Sequence, residues 1–181
     1  MIRSWSKKIP TGLVVGVVLG IFGAAAAAET RPLPLGAPIL KVILAADATA
    51  ADGTPVAATE SAFDLEMLKA LPVTTFRTST VWTEGVSEFT GVSLADFAKA
   101  MNVTSGTMLM YAVNDYVAEV PISDAVEGGP ILAYLMDGQE MAVRDKGPIW
   151  VIYPYDSSPE FQTEVVYSRS IWQLVKIEFK P

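Results

Sequence analysis

The sequence predicts one α+β domain, in which a single mixed β-sheet is accompanied by short helices. Three observations lead there. Runs of β-branched and aromatic residues outnumber helix-periodic runs; in Val73–Val81 seven of nine residues are of these types. The helical stretches are short, and start or stop signals bound them. Asp137-Gly138, between Ile131–Met136 and Glu140–Val143, is the cleanest hairpin signal in the chain.

Taken in order, the chain begins with a basic end (Arg3, Lys7, Lys8), an uncharged run from Ile9 to Ala28, and Ala26-Ala27-Ala28 before Glu29. That is the three-part form of a secretory signal peptide over residues 1–28, with cleavage expected after Ala28. The alternative is a retained membrane anchor, since twenty uncharged residues can span a bilayer. No Arg-Arg pair precedes the run, which favours general secretion over the twin-arginine route. Residues 29–60 read as an extended N-terminal segment. Glu29–Pro38 carries three prolines, Ile39–Leu44 is the first strand and Ala45–Thr59 is a loop.

Residues 61–181 carry the rest of the fold. Asp64 is placed to cap a short helix, Leu65–Leu71, stopped by Pro72. The strand of Val73–Val81 follows, then Trp82, a turn, and a second helix whose start is placed at Gly91–Phe97. Ser93 is its cap, and Leu94, Phe97 and Met101 form its apolar face. Thr107–Val113 and Tyr116–Val120 are strands joined at Asn114-Asp115. Pro121–Ala125 reads as a helical turn capped by Ser123. Beyond the hairpin lie a β-prone run, Pro148–Tyr153, a polar loop, Pro154–Glu164, and a last strand, Ser170–Phe179. Glu29–Pro181 is long enough to bury one ordinary core.

Composition removes several chemistries. The chain holds 13 basic and 20 acidic residues; without Arg3, Lys7 and Lys8 the balance is 10 to 20, a net charge of −10. Such a surface repels phosphate backbones and gives no attraction to anionic lipid, so neither nucleic acid nor membrane is an expected partner after signal cleavage. There is no histidine and no cysteine. Ser-His-Asp and Cys-His nucleophiles are therefore ruled out, and an exported chain must fold without disulfides. A zinc site would need unusual all-carboxylate ligation, and Asp47 with Asp52-Gly53 lacks the alternation of a calcium loop. No Gly-rich phosphate loop or dinucleotide fingerprint occurs, and no two carboxylates are placed together for glycoside hydrolysis.

The order of short motifs resembles the molybdopterin-binding domain of sulfite-oxidase-type oxidoreductases. Leu65–Pro72 resembles the short helix before the cofactor strand. Phe76-Arg77, followed by Trp82, looks like the strand that carries the molybdenum-ligating cysteine. Phe89–Asp96 is similar to the family's next helix start, Ile131–Gly138 to its hairpin, and Gly147–Pro154 to its glycine-proline strand. The resemblance spans roughly Phe63–Phe179. It implies the sulfite-oxidase molybdopterin-binding fold with a barrel-like sheet, molybdopterin as cofactor, and oxygen-atom or electron transfer as chemistry.

Three departures cut against that activity. Aligned on Arg77 and Trp82, the cysteine position is Thr78. A thiolate is a soft, readily ionised ligand for a transition metal; a threonine hydroxyl is neutral and a poor one. The family's histidine contacts have no counterpart. Enzymes of this family receive the cofactor in the cytoplasm and cross the membrane folded, which a general-secretion leader does not match.

The expected reading is therefore a periplasmic, cofactor-free relative that binds a small molecule or a protein partner. No residue is assigned as catalytic or metal-ligating. Its candidate cleft comprises Arg77, Thr78, Thr80, Trp82 and Arg169, with Tyr155 and Asp156 nearby. Two alternatives stand: a molybdopterin oxidoreductase using Thr78 in place of the thiolate, and a structural or interaction protein without a small-molecule site. Singly, Arg77 and Arg169 also suit surface salt bridges, Trp82 suits core filling, and Trp150, Tyr153 and Tyr155 suit packing.

Overall fold

The computed structural model describes residues 33–45, 53–54 and 59–181. The expected leader and most of the Ala45–Thr59 loop lie outside the described residues.

Among the described residues, ten strands form two five-stranded sheets. In the first, β1 (Leu40–Leu44) pairs antiparallel with β2 (Thr59–Phe63) and parallel with β10 (Leu174–Lys180). Strand β10 also pairs antiparallel with β5 (Thr107–Ala112), which turns through Asn114-Asp115 into β6 (Val117–Pro121). Leu40, Val42 and Leu44 are buried while Lys41 is exposed, the alternation of a strand with one face on the core.

In the second sheet, β3 (Val73–Ser79) pairs with β4 (Val86–Ser93), and β4 with β7 (Ile131–Met136). The other edge of β7 is shared by β8 (Gln139–Glu140) and β9 (Trp150–Ile152). The α+β class predicted from sequence is the class observed. The single barrel-like sheet is corrected to two sheets, neither closed. Alternation along a strand reports which face is buried, not which strand donates its hydrogen bonds, so the partition was not legible.

The helices among the described residues are α1 (Leu65–Lys69), α2 (Leu94–Ala100) and α3 (Glu164–Arg169). Asp64 caps α1 by accepting from the Met67 amide at 2.9 Å, as expected, and its second oxygen accepts from the Gly36 amide at 2.7 Å. Ser93 caps α2 by accepting from the Asp96 amide at 2.9 Å, while its hydroxyl donates to the Asp96 carboxylate at 2.6 Å. Among the described residues no helix is long and apolar enough to cross a membrane.

Several elements differ from expectation. The helix start placed at Gly91 is instead the end of β4, because Gly91 lies at a bulge against β7. A Cβ there would sit 2.1 Å from the Leu132 carbonyl oxygen, so a residue that argues against a strand is the one residue this strand can hold. β2 was hidden in a polar stretch that becomes a strand only by pairing with β1. α3 lies in the stretch between the expected loop, Pro154–Glu164, and the last strand, which begins at Leu174 rather than Ser170. Ser123 lies inside a 3-10 turn, Ile122–Asp124, and caps nothing. The strand expected at Glu140–Val143 shrinks to β8, and Val143 starts another 3-10 turn.

Both sheets and all three helices contribute to one core, whose largest fully buried side chains include Trp150, Tyr153, Phe89, Phe97 and Phe179. Phe97 of α2 meets Phe63 of β2 with ring centroids 5.7 Å apart.

Candidate functional site

The site is assembled where β3 ends. Thr78 is fully buried. Its hydroxyl donates to the Ser79 carbonyl at 3.2 Å and accepts from the Asp156 amide at 3.1 Å. Asp156 answers with its carboxylate, which accepts from the Ser79 amide at 2.6 Å and the Ser79 hydroxyl at 2.7 Å. The hydroxyl of Ser79 and then its amide hold the Asp156 carboxyl below the usual carboxylate range. Three of these hydrogen bonds thus clasp the 3-10 turn Tyr155–Ser157 onto the end of β3.

Past the strand end, Thr80 accepts from the Trp82 amide at 3.0 Å and shares a 2.8 Å hydrogen bond with the Thr83 hydroxyl. This local turn aims the Trp82 indole back at the fold. Its ring is met edge-on by Trp172, Trp150, Tyr167 and Tyr155, with centroids 5.6, 5.9, 5.9 and 6.3 Å away. Such contacts add to the area they bury, because the positive ring edge meets a negative face. Tyr155 is buried beneath, donating to the Ser170 hydroxyl at 2.6 Å, and burial pushes its phenol up to about 12. Trp150 is also buried and donates to the Ser170 carbonyl at 3.1 Å.

One side of this cluster opens as a cleft of about 220 Å³. Trp82, Tyr116, Tyr167 and Trp172 supply its aromatic wall, and Asn114 and Ser168 part of its polar rim. Of the cleft expected from sequence, Trp82 lines this space, while Thr78, Thr80, Tyr155 and Asp156 form the support behind it. Arg77 and Arg169 are elsewhere engaged. Arg77 is exposed opposite Glu88 in the β3–β4 ladder, with nitrogen and oxygen 3.9 Å apart. An exposed pair of that kind contributes below about 1 kcal/mol. Arg169 binds Asp124 at 2.9 Å, and the buried Tyr153 hydroxyl donates to the same oxygen at 2.7 Å. Burial, and next the Asp124 hydrogen bond, raise the Tyr153 phenol far above its ordinary value.

Sequence reasoning passed over Tyr116, Tyr167 and Trp172. Tyr116 precedes a strand, while Tyr167 and Trp172 fall in α3 and the bend after it. Only the folding of that C-terminal segment against β3 makes them neighbours of Trp82. Their one sequence signal is two aromatics in a stretch otherwise polar around Ser168, Arg169 and Ser170.

The sequence model of the oxidoreductase molybdopterin binding domain matches residues 58–157, more than half of the chain. The chain belongs to that family. No curated protein matches it.

The residues present do not fit the family's cofactor. Thr78, which the sequence resemblance sets at the ligand position, is buried, and its hydroxyl is already hydrogen-bonded in both senses. The chain has no cysteine or histidine, and among the described residues no three acidic groups cluster to hold a metal ion. Nor do cations converge on a phosphate. Arg77, Arg144 and Arg169 are paired with carboxylates, Lys146 lies over Trp150 and Trp172, and Lys176 lies over Tyr111.

Proposed function

We propose that this protein is an exported, cofactor-free member of the molybdopterin-binding family that binds a small molecule or a periplasmic partner at the Trp82 cleft. The observation that carries the reading is Thr78. The position that should present a thiolate instead presents a hydroxyl, sealed beneath the Asp156 turn. A second support is the open aromatic cleft beside it, since ligand sites are concave and mostly apolar with a few polar groups at the edge. Localisation in the periplasm follows from the leader-like residues 1–28.

Family membership favours a second reading, a molybdopterin oxidoreductase in which Thr78 stands at the ligand position. One experiment separates the two. Protein purified natively from its own periplasm is assayed for molybdenum by elemental analysis and for bound pterin by native mass spectrometry. The expected result is neither; one molybdenum per chain overturns the proposal. The mass of the secreted form tests the leader, with a chain starting at Glu29 expected. Screening small molecules by thermal shift tests the cleft, because a ligand that binds only the folded state raises its midpoint. If no compound shifts the midpoint and a protein co-purifies, the role is interaction without a small-molecule site.

A further inference from the structure

The chemistry of the Trp82 cleft narrows what it can take. Its wall is four aromatic side chains, with Trp82 at 88° to Tyr167 and 67° to Trp172. Trp82, Tyr167 and Trp172 pack edge to face instead of stacking flat, and with Tyr116 they border one space. The polar groups of the wall are largely committed to the protein itself. The Tyr116 hydroxyl donates to the Ser168 carbonyl at 3.1 Å, and the Ser168 hydroxyl to the Val165 carbonyl at 2.7 Å. The Ser170 hydroxyl accepts from Tyr155 and donates to the Val166 carbonyl at 2.8 Å. The Asn114 side-chain oxygen accepts from the Tyr116 amide at 3.2 Å.

What the wall offers a ligand is therefore π surface. No charged side chain lines the cleft among the described residues. Aromatic faces attract positive charge through the ring quadrupole, and they suit a cation that has no N–H to satisfy. The chain's excess of acidic residues, 20 against 13 basic, enriches cations near its surface and depletes anions. The protein already makes one such contact beside the cleft: the Lys146 ammonium lies 4.6 Å from the Trp172 ring centroid. Tyr167 and Trp172 also fall after residue 157, outside the segment that matches the family. Trp82 and Tyr116 fall inside it, so the matched segment accounts for only half of this wall.

We infer that the cleft is an aromatic cage for a small free organic cation bearing a fully alkylated ammonium, an assignment that rests on the ligand-binding reading above. The space of about 220 Å³ accommodates a trimethylammonium group with a short substituent. The Asn114 amide N–H₂ stands at the exposed rim as a donor for that substituent.

The test is isothermal titration of the purified protein at low salt with choline and with 3,3-dimethylbutan-1-ol, which replaces the charged nitrogen by carbon at nearly constant shape. Choline is expected to bind at least about tenfold more tightly than the alcohol. Tyr116→Leu, at an exposed position, should weaken choline about fivefold, and Tyr116→Phe should retain it. Lys146→Gln removes a like charge next to the wall, so it should tighten choline and leave the alcohol unchanged. Equal affinity for the two probes, or no choline binding at tens of millimolar, overturns the cation assignment. Cosedimentation with phosphatidylcholine vesicles would move the same chemistry to a lipid head group and overturn the free-ligand form. None of these outcomes touches the molybdenum assay, so failure of the cage and failure of the cofactor-free reading are told apart.

Discussion

Thr78 and Asp156 lie 78 positions apart in the chain; the Thr78 hydroxyl holds the Asp156 amide, and the Asp156 carboxylate holds the amide of Ser79 next to Thr78. Removing the hydroxyl while keeping the shape isolates that contribution. Thr78→Val leaves the Asp156 amide without its acceptor and should cost about 1–2 kcal/mol in urea unfolding. If the position were poised for a metal, the same substitution would instead abolish a spectroscopic or redox signal with little change in stability. The carboxylate side of the clasp titrates. Because the folded-state value of Asp156 lies below its unfolded value, its stabilisation is complete above the unfolded value, ordinarily 3.8, and disappears as pH falls through the folded one. The stability gap between wild type and Asp156→Asn should therefore be constant near neutrality and shrink below about pH 4. Urea midpoints measured from pH 7 to pH 3 check this.

At the scale of elements, β4 carries the connection between the strand that ends at the site and the strand that builds the sheet interior. Its register depends on Gly91, where β4 bulges against β7. Gly91→Ala puts a methyl group 2.1 Å from a backbone oxygen that cannot rotate away, and the strands must part to admit it. A loss of about 3 kcal/mol is expected in thermal or urea unfolding. Helix α2 begins immediately after β4, and its cap is separable from that packing. Ser93→Ala removes the acceptor for the Asp96 amide and should cost about 1 kcal/mol without shifting the β4 register. Amide hydrogen exchange distinguishes the two: protection is lost along β4 and β7 in the first variant, and only in the first turn of α2 in the second.

Across the molecule, the first and last strands lie side by side, β1 parallel to β10. β1, which precedes residue 61, is thus part of the first sheet, although sequence composition separates it from the rest. The C-terminal segment that ends in β10 also delivers Tyr167 and Trp172 to the cleft. Several carboxyls are held below their ordinary range: Asp64 by the Gly36 and Met67 amides, Asp156 by Ser79, and Glu178 by Lys180 and Tyr111. Each contributes stability that is present near neutral pH and lost on acidification. The whole protein should accordingly unfold at lower temperature at pH 3 than at pH 7, as circular dichroism can measure.

Whatever depends on neighbours along the chain was legible before folding. The caps at Asp64 and Ser93, the turn at Asp137-Gly138, the β-branched run of β3, the α+β class and the absence of any thiol or imidazole were all readable from short stretches. Folding in three dimensions put Gly91 in a strand, divided the strands into two sheets and closed Asp156 over Thr78. It alone brought Tyr116, Tyr167 and Trp172 around Trp82, and sent Arg77 and Arg169 to carboxylate partners away from the cleft. The physical reason is that capping and turn energies act over three or four residues, whereas strand pairing, desolvation and ring contacts act between segments whose separation in the sequence carries no trace of their meeting.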